Sequence, residues 1–249
     1  MKRIKFQFAL SLMMAFIIIG CASCVSINSL QFGAVHGQGD MKDSVFNVSK
    51  FTKVNINGGC EVIYSSANSN ELKVSMQDNV LKEFNESVAG DTLMIKWNKT
   101  IVTDSGFVPK IYISNSNLEG LTINGAVKIS ESDVIKADTL TLTVAGACDL
   151  NIPLNVNKFS VNISGAGKMS ISGSAENADM QINGAGEIKA LSLDTKLSSI
   201  TINGTGSVEI YCEDQLNASI AGAGSIRYKG DPNVNPSIVG AGSIKKITE

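Results

Sequence analysis

One five-residue phrase returns along the chain and limits what it can fold into. It reads isoleucine, a polar or small apolar residue, glycine, small, glycine: ISGAG at 163–167, INGAG at 182–186, INGTG at 202–206, IAGAG at 220–224 and IVGAG at 238–242. The first glycines are Gly125, Gly146, Gly165, Gly184, Gly204, Gly222 and Gly240, at intervals of 21, 19, 19, 20, 18 and 18 residues. A near-constant period means that each copy is one unit stacked on the next. Short alternating runs lie between the copies, such as KADTLTLTV (136–144) and NVNKFSVNI (155–163). A unit this short cannot hold an amphipathic helix as well as strands, and no leucine-rich LxxLxLxxN spelling occurs. The predicted fold is all-β: a right-handed parallel β-helix, or β-solenoid, with two or three short strands per coil.

Parity accounts for the phrase. Side chains alternate along a strand, so Val161, Ile163, Gly165, Gly167, Met169 and Ile171 share one face. The same rule turns Gly184 with Gly186, Gly204 with Gly206, Gly222 with Gly224, and Gly240 with Gly242 inward. The expected cause is a narrow or sharply bent place in every coil, where only a tiny side chain fits or φ turns positive. Three copies carry a natural substitution. Val127 follows Gly125, Cys148 follows Gly146, and INGGCEV (56–62) has Cys60 at that place. Compact apolar residues mark this second position as core. A phosphate-binding glycine loop needs a helix behind it; KMSIS, EIKAL and SVEIY follow here and read as strand.

Composition agrees. The chain has 249 residues, 23 glycines and 4 prolines, and its net charge of −2 argues against a nucleic-acid partner. At the N-terminus MKRIK precedes an apolar stretch from Phe6 to Ile19, which is short for a membrane span and suited to a signal sequence. It ends in Ile18-Ile19-Gly20-Cys21, which resembles a bacterial lipobox. Residues 1–20 are therefore read as a lipoprotein signal peptide and Cys21 as the lipid-attachment residue. The expected location is the cell envelope, in the outer membrane, anchored through the N-terminal lipid. Residues 21–44 read as a polar tether, 45–114 as a β-rich N-terminal cap with the first coils, and 115–249 as the glycine-repeat solenoid. Within the cap, DNVLKEF (78–84) has the spacing of a short helical turn.

Several residue groups qualify as sites. The place three after the first glycine gives Glu61, Lys128, Asp149, Lys168 and Glu187, an outward column. Asp149 and Glu187 could serve as a glycosidase carboxylate pair; the plainer reading is a salt-bridge ladder with Lys168 between them. Asn57, Asn124, Ser164, Asn183 and Asn203 form a second outward column, expected to bond to one another rather than to a ligand. His36, the one histidine, falls in the tether. Cys60, Cys148 and Cys212 are expected as buried free thiols, and no spacing calls for a metal or other cofactor.

The repeated I-[NS]-G-[AT]-G, the opening FTKVNINGGCEVIYSSANSNELKVSMQDNVLKEFNESVAGDTLMIKW (51–97) and the closing YKGDPNVNPSIVGAGSIKKI (228–247) resemble the head GIN domain of the auto-transporter adhesin family. The likeness runs over about residues 45–247. It implies a parallel β-solenoid and brings no catalytic residues with it. The function expected is a non-catalytic envelope lipoprotein, an adhesin-like binding or structural module meeting a glycan or another envelope protein. The alternative is a polysaccharide lyase or glycosidase on a β-helix scaffold. The lack of a histidine base and of arginines other than Arg227 beyond the signal peptide weighs against it.

Overall fold

The computed structural model describes residues 33–102 and 107–248. The strands in chain order are β1 (Val35–His36), β2 (Met41–Asn47), β3 (Lys53–Ser65), β4 (Glu71–Gln77), β5 (Phe84–Ala89), β6 (Thr92–Trp97), β7 (Ile101–Val102), β8 (Lys110–Ser114) and β9 (Gly120–Ser132). They continue as β10 (Ile135–Gly204), β11 (Ser207–Tyr211), β12 (Gln215–Gly222), β13 (Ser225–Lys229), β14 (Asn233–Gly240) and β15 (Ser243–Lys246). A short helix, α1 (Asp78–Leu81), follows β4 at the place its spacing predicted.

From Gly120 onward the chain returns beside itself once per repeat, always in parallel. β9 runs beside β10 from Gly120↔Thr141 to Ile129↔Leu150. β12 runs beside β10 from Leu197↔Gln215 to Gly204↔Gly222, and β14 beside β12 from Gln215↔Asn233 to Gly222↔Gly240. β11, β13 and β15 continue the arm that leaves each glycine phrase. β10 spans 70 residues because the ribbon winds through several copies without losing its pairing. Inside, Ile123, Val144, Ile163, Ile182, Ile202 and Ile220 are at most 1% exposed. Each such residue contributes about 1.5–3 kcal/mol of burial, so one column of β-branched residues is a large part of the cohesion between coils.

The first end departs from the all-parallel expectation. β3 is itself a coil strand, with Gly58 opposite Gly125 and Cys60 opposite Val127. Its free side is covered by two separate pieces. β6 lies parallel to its first half and forms an antiparallel hairpin with β5. β8 lies parallel to its second half and is followed by β4 and β2, both antiparallel. The sheets are therefore mixed and not closed. Between β3 and β9 the glycine phrase is absent and tight reversals replace coils; Gly90, at φ +64°, turns the β5–β6 hairpin.

The tether expected to reach residue 44 ends earlier, since Met41–Asn47 is an edge strand. Its composition hid it. Met41 and Val45 are 43% and 60% exposed, while Phe46 packs on Phe84 with ring centroids 5.4 Å apart. His36 also lies in a strand, paired with Val102. The signal peptide, Cys21 and Cys24 lie outside the described residues.

At the other end the last coil is open. Ile238 and Val239 are 43% and 71% exposed, and Val234 and Ile244 are only half-covered. The backbone bonds from Asn233 N–H to Asp214 O (2.8 Å) and from Ala241 N–H to Gly222 O (2.9 Å) tie this coil to the one before it.

Cys60, Cys148 and Cys212 are buried free thiols. Val127 separates Cys60 from Cys148 in their shared column. Burial pushes the Cys60 thiol up to about 12; burial and, secondarily, the charge of Asp149 push Cys148 to about 11. Unfolded thiols ionise near the ordinary value of 9.0. The stabilising difference is thus complete below that value and is lost as pH rises toward the folded values. Urea midpoints should fall between about pH 8 and about pH 10.5, and Cys60→Val should flatten the fall. Equal midpoints at both pH values would contradict this assignment.

Candidate binding surface

The two glycines of each phrase do different work. The first ones, Gly125 through Gly240, have φ between +119° and +158°. A Cβ on any of them would strike the carbonyl oxygen of the glycine one coil earlier, as Gly184 would strike Gly165 O at 2.5 Å. This corrects the parity reading: the first position points along the stack, at the neighbouring backbone, and not into the core. The second glycines lack the positive φ and do face inward. A Cβ on Gly186 would lie 3.3 Å from Ile182 Cγ2 and 3.4 Å from Ile163 Cγ2. The residues that replace the second glycine, Cys60, Val127 and Cys148, are 2%, 3% and 9% exposed.

The glycine column needs a beginning, and sequence reasoning missed it. Gly58 has no earlier glycine beneath it; the ring of Trp97 lies there, with Cε3 at 2.5 Å from the place of a Gly58 Cβ. Phe84 meets the same indole edge-on at 5.6 Å. The only signal was that Trp97 is the sole tryptophan and closes the run TLMIKW of β6.

The outward columns sort the remaining candidates. Glu61, Lys128 and Asp149 stack in register, and Glu187 lies opposite Ser207. The expected ion-pair ladder does not form. Glu187 pairs with Lys189 of its own strand at 3.4 Å, and Glu61 with Lys110 at 3.8 Å. Among the described residues Lys168 makes no ion pair with either Asp149 or Glu187. On a wet surface such pairs are worth about 0–1 kcal/mol, too little to fix long side chains.

The expected amide column forms in part: Asn183 and Asn203 bond to each other, Asn57 and Ser164 turn to Asn55 and Asn162 of their own strands, and further links run through residues outside the expected set. Asn124 Nδ2 donates to Asn55 Oδ1 (3.2 Å), Asn183 Nδ2 to Asn162 Oδ1 (3.3 Å) and Asn203 Nδ2 to Asn183 Oδ1 (2.8 Å). Asn162 in turn donates to Gln181 Oε1 (3.0 Å), and Asn235 to Asn217 Oδ1 (3.0 Å). At the leading edge of this arm lies a groove of about 380 Å³, with Phe159, Ala178 and Leu197 in its wall beside Lys158, Asp179 and Asn217. The sequence carried one hint of it. The interval from Gly184 to Gly204 is a residue longer than the one before. The stretch of β10 within this interval buries Thr195 against Ser198 (2.7 Å) and leaves Leu197 43% exposed.

The fold has solved counterparts. A "putative adhesin" from Bacteroides fragilis NCTC 9343 superposes with a TM-score of 0.77 at 24% identity, covering 86% of this chain and 100% of that one. A "putative lipid binding protein" from Parabacteroides distasonis ATCC 8503 gives 0.66 at 24% identity, with coverages of 86% and 100%. A "putative adhesin" from Parabacteroides merdae ATCC 43184 gives 0.64 at 21% identity, with coverages of 87% and 100%. No curated protein matches the sequence. The family model described as "Putative auto-transporter adhesin, head GIN domain" matches residues 50–232. The chain belongs to the head GIN domain family of auto-transporter adhesins.

Proposed function

We propose that the protein is a non-catalytic, adhesin-like binding or structural module of the cell envelope, held there by lipid on Cys21 and presenting a right-handed parallel β-solenoid as its contact surface. The carrying observation is the outward amide column, whose side chains are already ordered by one another across successive coils. A surface ordered before contact loses little side-chain entropy on binding. Parallel strands joined along one side favour a right-handed winding, which supports the handedness. Membership of an adhesin family and neighbours named as adhesins support a surface role over an enzymatic one. Asp149 and Glu187 add no support for catalysis: Asp149 is exposed, and Glu187 is engaged by Lys189.

Two measurements test this reading. Cells with and without the protein are compared for attachment to polysaccharide-coated and protein-coated beads; equal attachment to every bead removes the adhesive role. For the anchor, a fatty-acid probe should label the wild type and Cys24→Ser, and should fail to label Cys21→Ser. Label retained by Cys21→Ser would displace the anchor to another residue.

A further inference from the structure

The two arms that meet at the glycine phrase carry opposite chemistry. On the departing arm charges recur from coil to coil, as Lys128, Asp149, Lys168, Glu187, Glu209 and Arg227. On the approaching arm, outward positions are filled by residues such as Thr143, Asn162, Gln181, Thr201 and Ser219. From the coil at Gly120 to the last coil, Lys158 and Asp179 are the ionisable side chains that this arm exposes among the described residues. Within the groove at its edge Asp179 is accompanied by Lys158, so the groove has no net charge.

We infer that this uncharged arm, with the groove beside it, binds a neutral polysaccharide laid across the stacked coils. The inference rests on the binding-module reading above and names its ligand class. A nucleic acid or anionic glycan would need lysines or arginines to replace its counterions, and the arm supplies only Lys158 at its rim. A bilayer surface would need an apolar face; Ala145, Ala221 and Val239 are scattered among hydroxyls and amides. A protein partner would prefer aromatic residues, methionine and arginine at the centre of contact, and this arm presents none outward. Sugar hydroxyls both donate and accept, as do the hydroxyls of Thr143, Thr201 and Ser219 and the amides of Asn162 and Gln181. Each asparagine of the column spends one N–H on its neighbour and keeps the second N–H for a ligand. Leu197 and the wall around it offer a dry contact for the C–H face of a sugar ring. Because the same chemistry returns at each coil, about 4.8 Å apart, affinity should grow with glycan length through many weak contacts.

The test is affinity electrophoresis of the full chain in detergent, through gels holding dextran, mannan, laminarin or polygalacturonate. At least one neutral polysaccharide should retard the wild type, and longer oligosaccharides of that polymer should compete better than short ones. The double variant Thr201→Lys/Ser219→Lys should lose retardation at least tenfold. Ser170→Lys, on the charged arm, should keep it, and both should melt near the wild-type temperature by circular dichroism. Passage through every neutral gel, retardation by polygalacturonate alone, or full retardation of the double variant would each overturn the inference. If the wild type passes every neutral gel while cells carrying it still attach to protein-coated beads, the neutral-glycan assignment falls and the binding module stands.

Discussion

Gly184→Ala is expected to destabilise the protein strongly, whereas Gly186→Ala, two residues on, should be tolerated. The alanine at 184 would hold φ at +151°, a region that is essentially reserved for glycine, and would press its Cβ to 2.5 Å from the oxygen of Gly165. That oxygen is backbone in a packed stack and cannot swing aside. Strain and overlap together come to about 3 kcal/mol or more, equivalent to a drop in melting temperature of roughly 6–12 °C. At 186 the nearest atoms are isoleucine methyls at 3.3 and 3.4 Å, and the backbone is ordinary strand, so the cost is about 1 kcal/mol or less. Thermal melts of the two variants give the answer. Equal effects would mean that the two glycine columns are equivalent, contrary to the geometry.

The second large effect concerns the start of the column. Trp97→Ala should destabilise by about 2–4 kcal/mol, because it removes the aromatic surface that closes over Gly58 and packs against Phe84. Trp97→Phe should fall within about 1 kcal/mol of the wild type. The indole Nε1–H is buried and finds no acceptor among the described residues, so phenylalanine gives up a donor that was already unsatisfied. Circular-dichroism melts separate the outcomes without relying on tryptophan fluorescence. A phenylalanine variant as damaged as the alanine one would show that Nε1 has a partner.

Much of this was legible in the sequence, for physical reasons that can be named. The period survives because every coil must solve the same backbone problem at the same place, so Gly125, Gly146, Gly165 and their successors could not drift. Val127 and Cys148 revealed the second glycine position as core, since a buried site accepts a small apolar side chain and a ligand loop does not. DNVLKEF declared its turn through the spacing of Val80 and Phe84, both buried. Parity failed at the first glycine because it assumes extended residues throughout; one positive φ rotates the Cα–H direction from the core toward the neighbouring coil. The antiparallel pieces around β3 were illegible, because each is a single solution used once and leaves no period. The ladder through Lys168 was over-read: register brings exposed charges near one another, but water competes for each of them. Leu197 and its groove sit in the longer interval, where one extra residue is visible in the sequence and the shape it makes is not.

The coil that carries β14 is guarded along its unpaired edge. Ladder bonds to the preceding coil come from Asn233 and Ala241, so by alternation the N–H groups of residues 234, 236, 238 and 240 aim at the vacant side. One of these is Pro236, which has no N–H to offer. Its proline ring therefore deletes a donor where an incoming strand would seek one, and it takes nothing from the chain's own pairing. On the neighbouring strand Lys245 and Lys246 place positive charge at the same rim, with Lys246 drawn to Asp231. Together the proline and the lysines discourage a second molecule from pairing along this edge and extending the stack into a fibril.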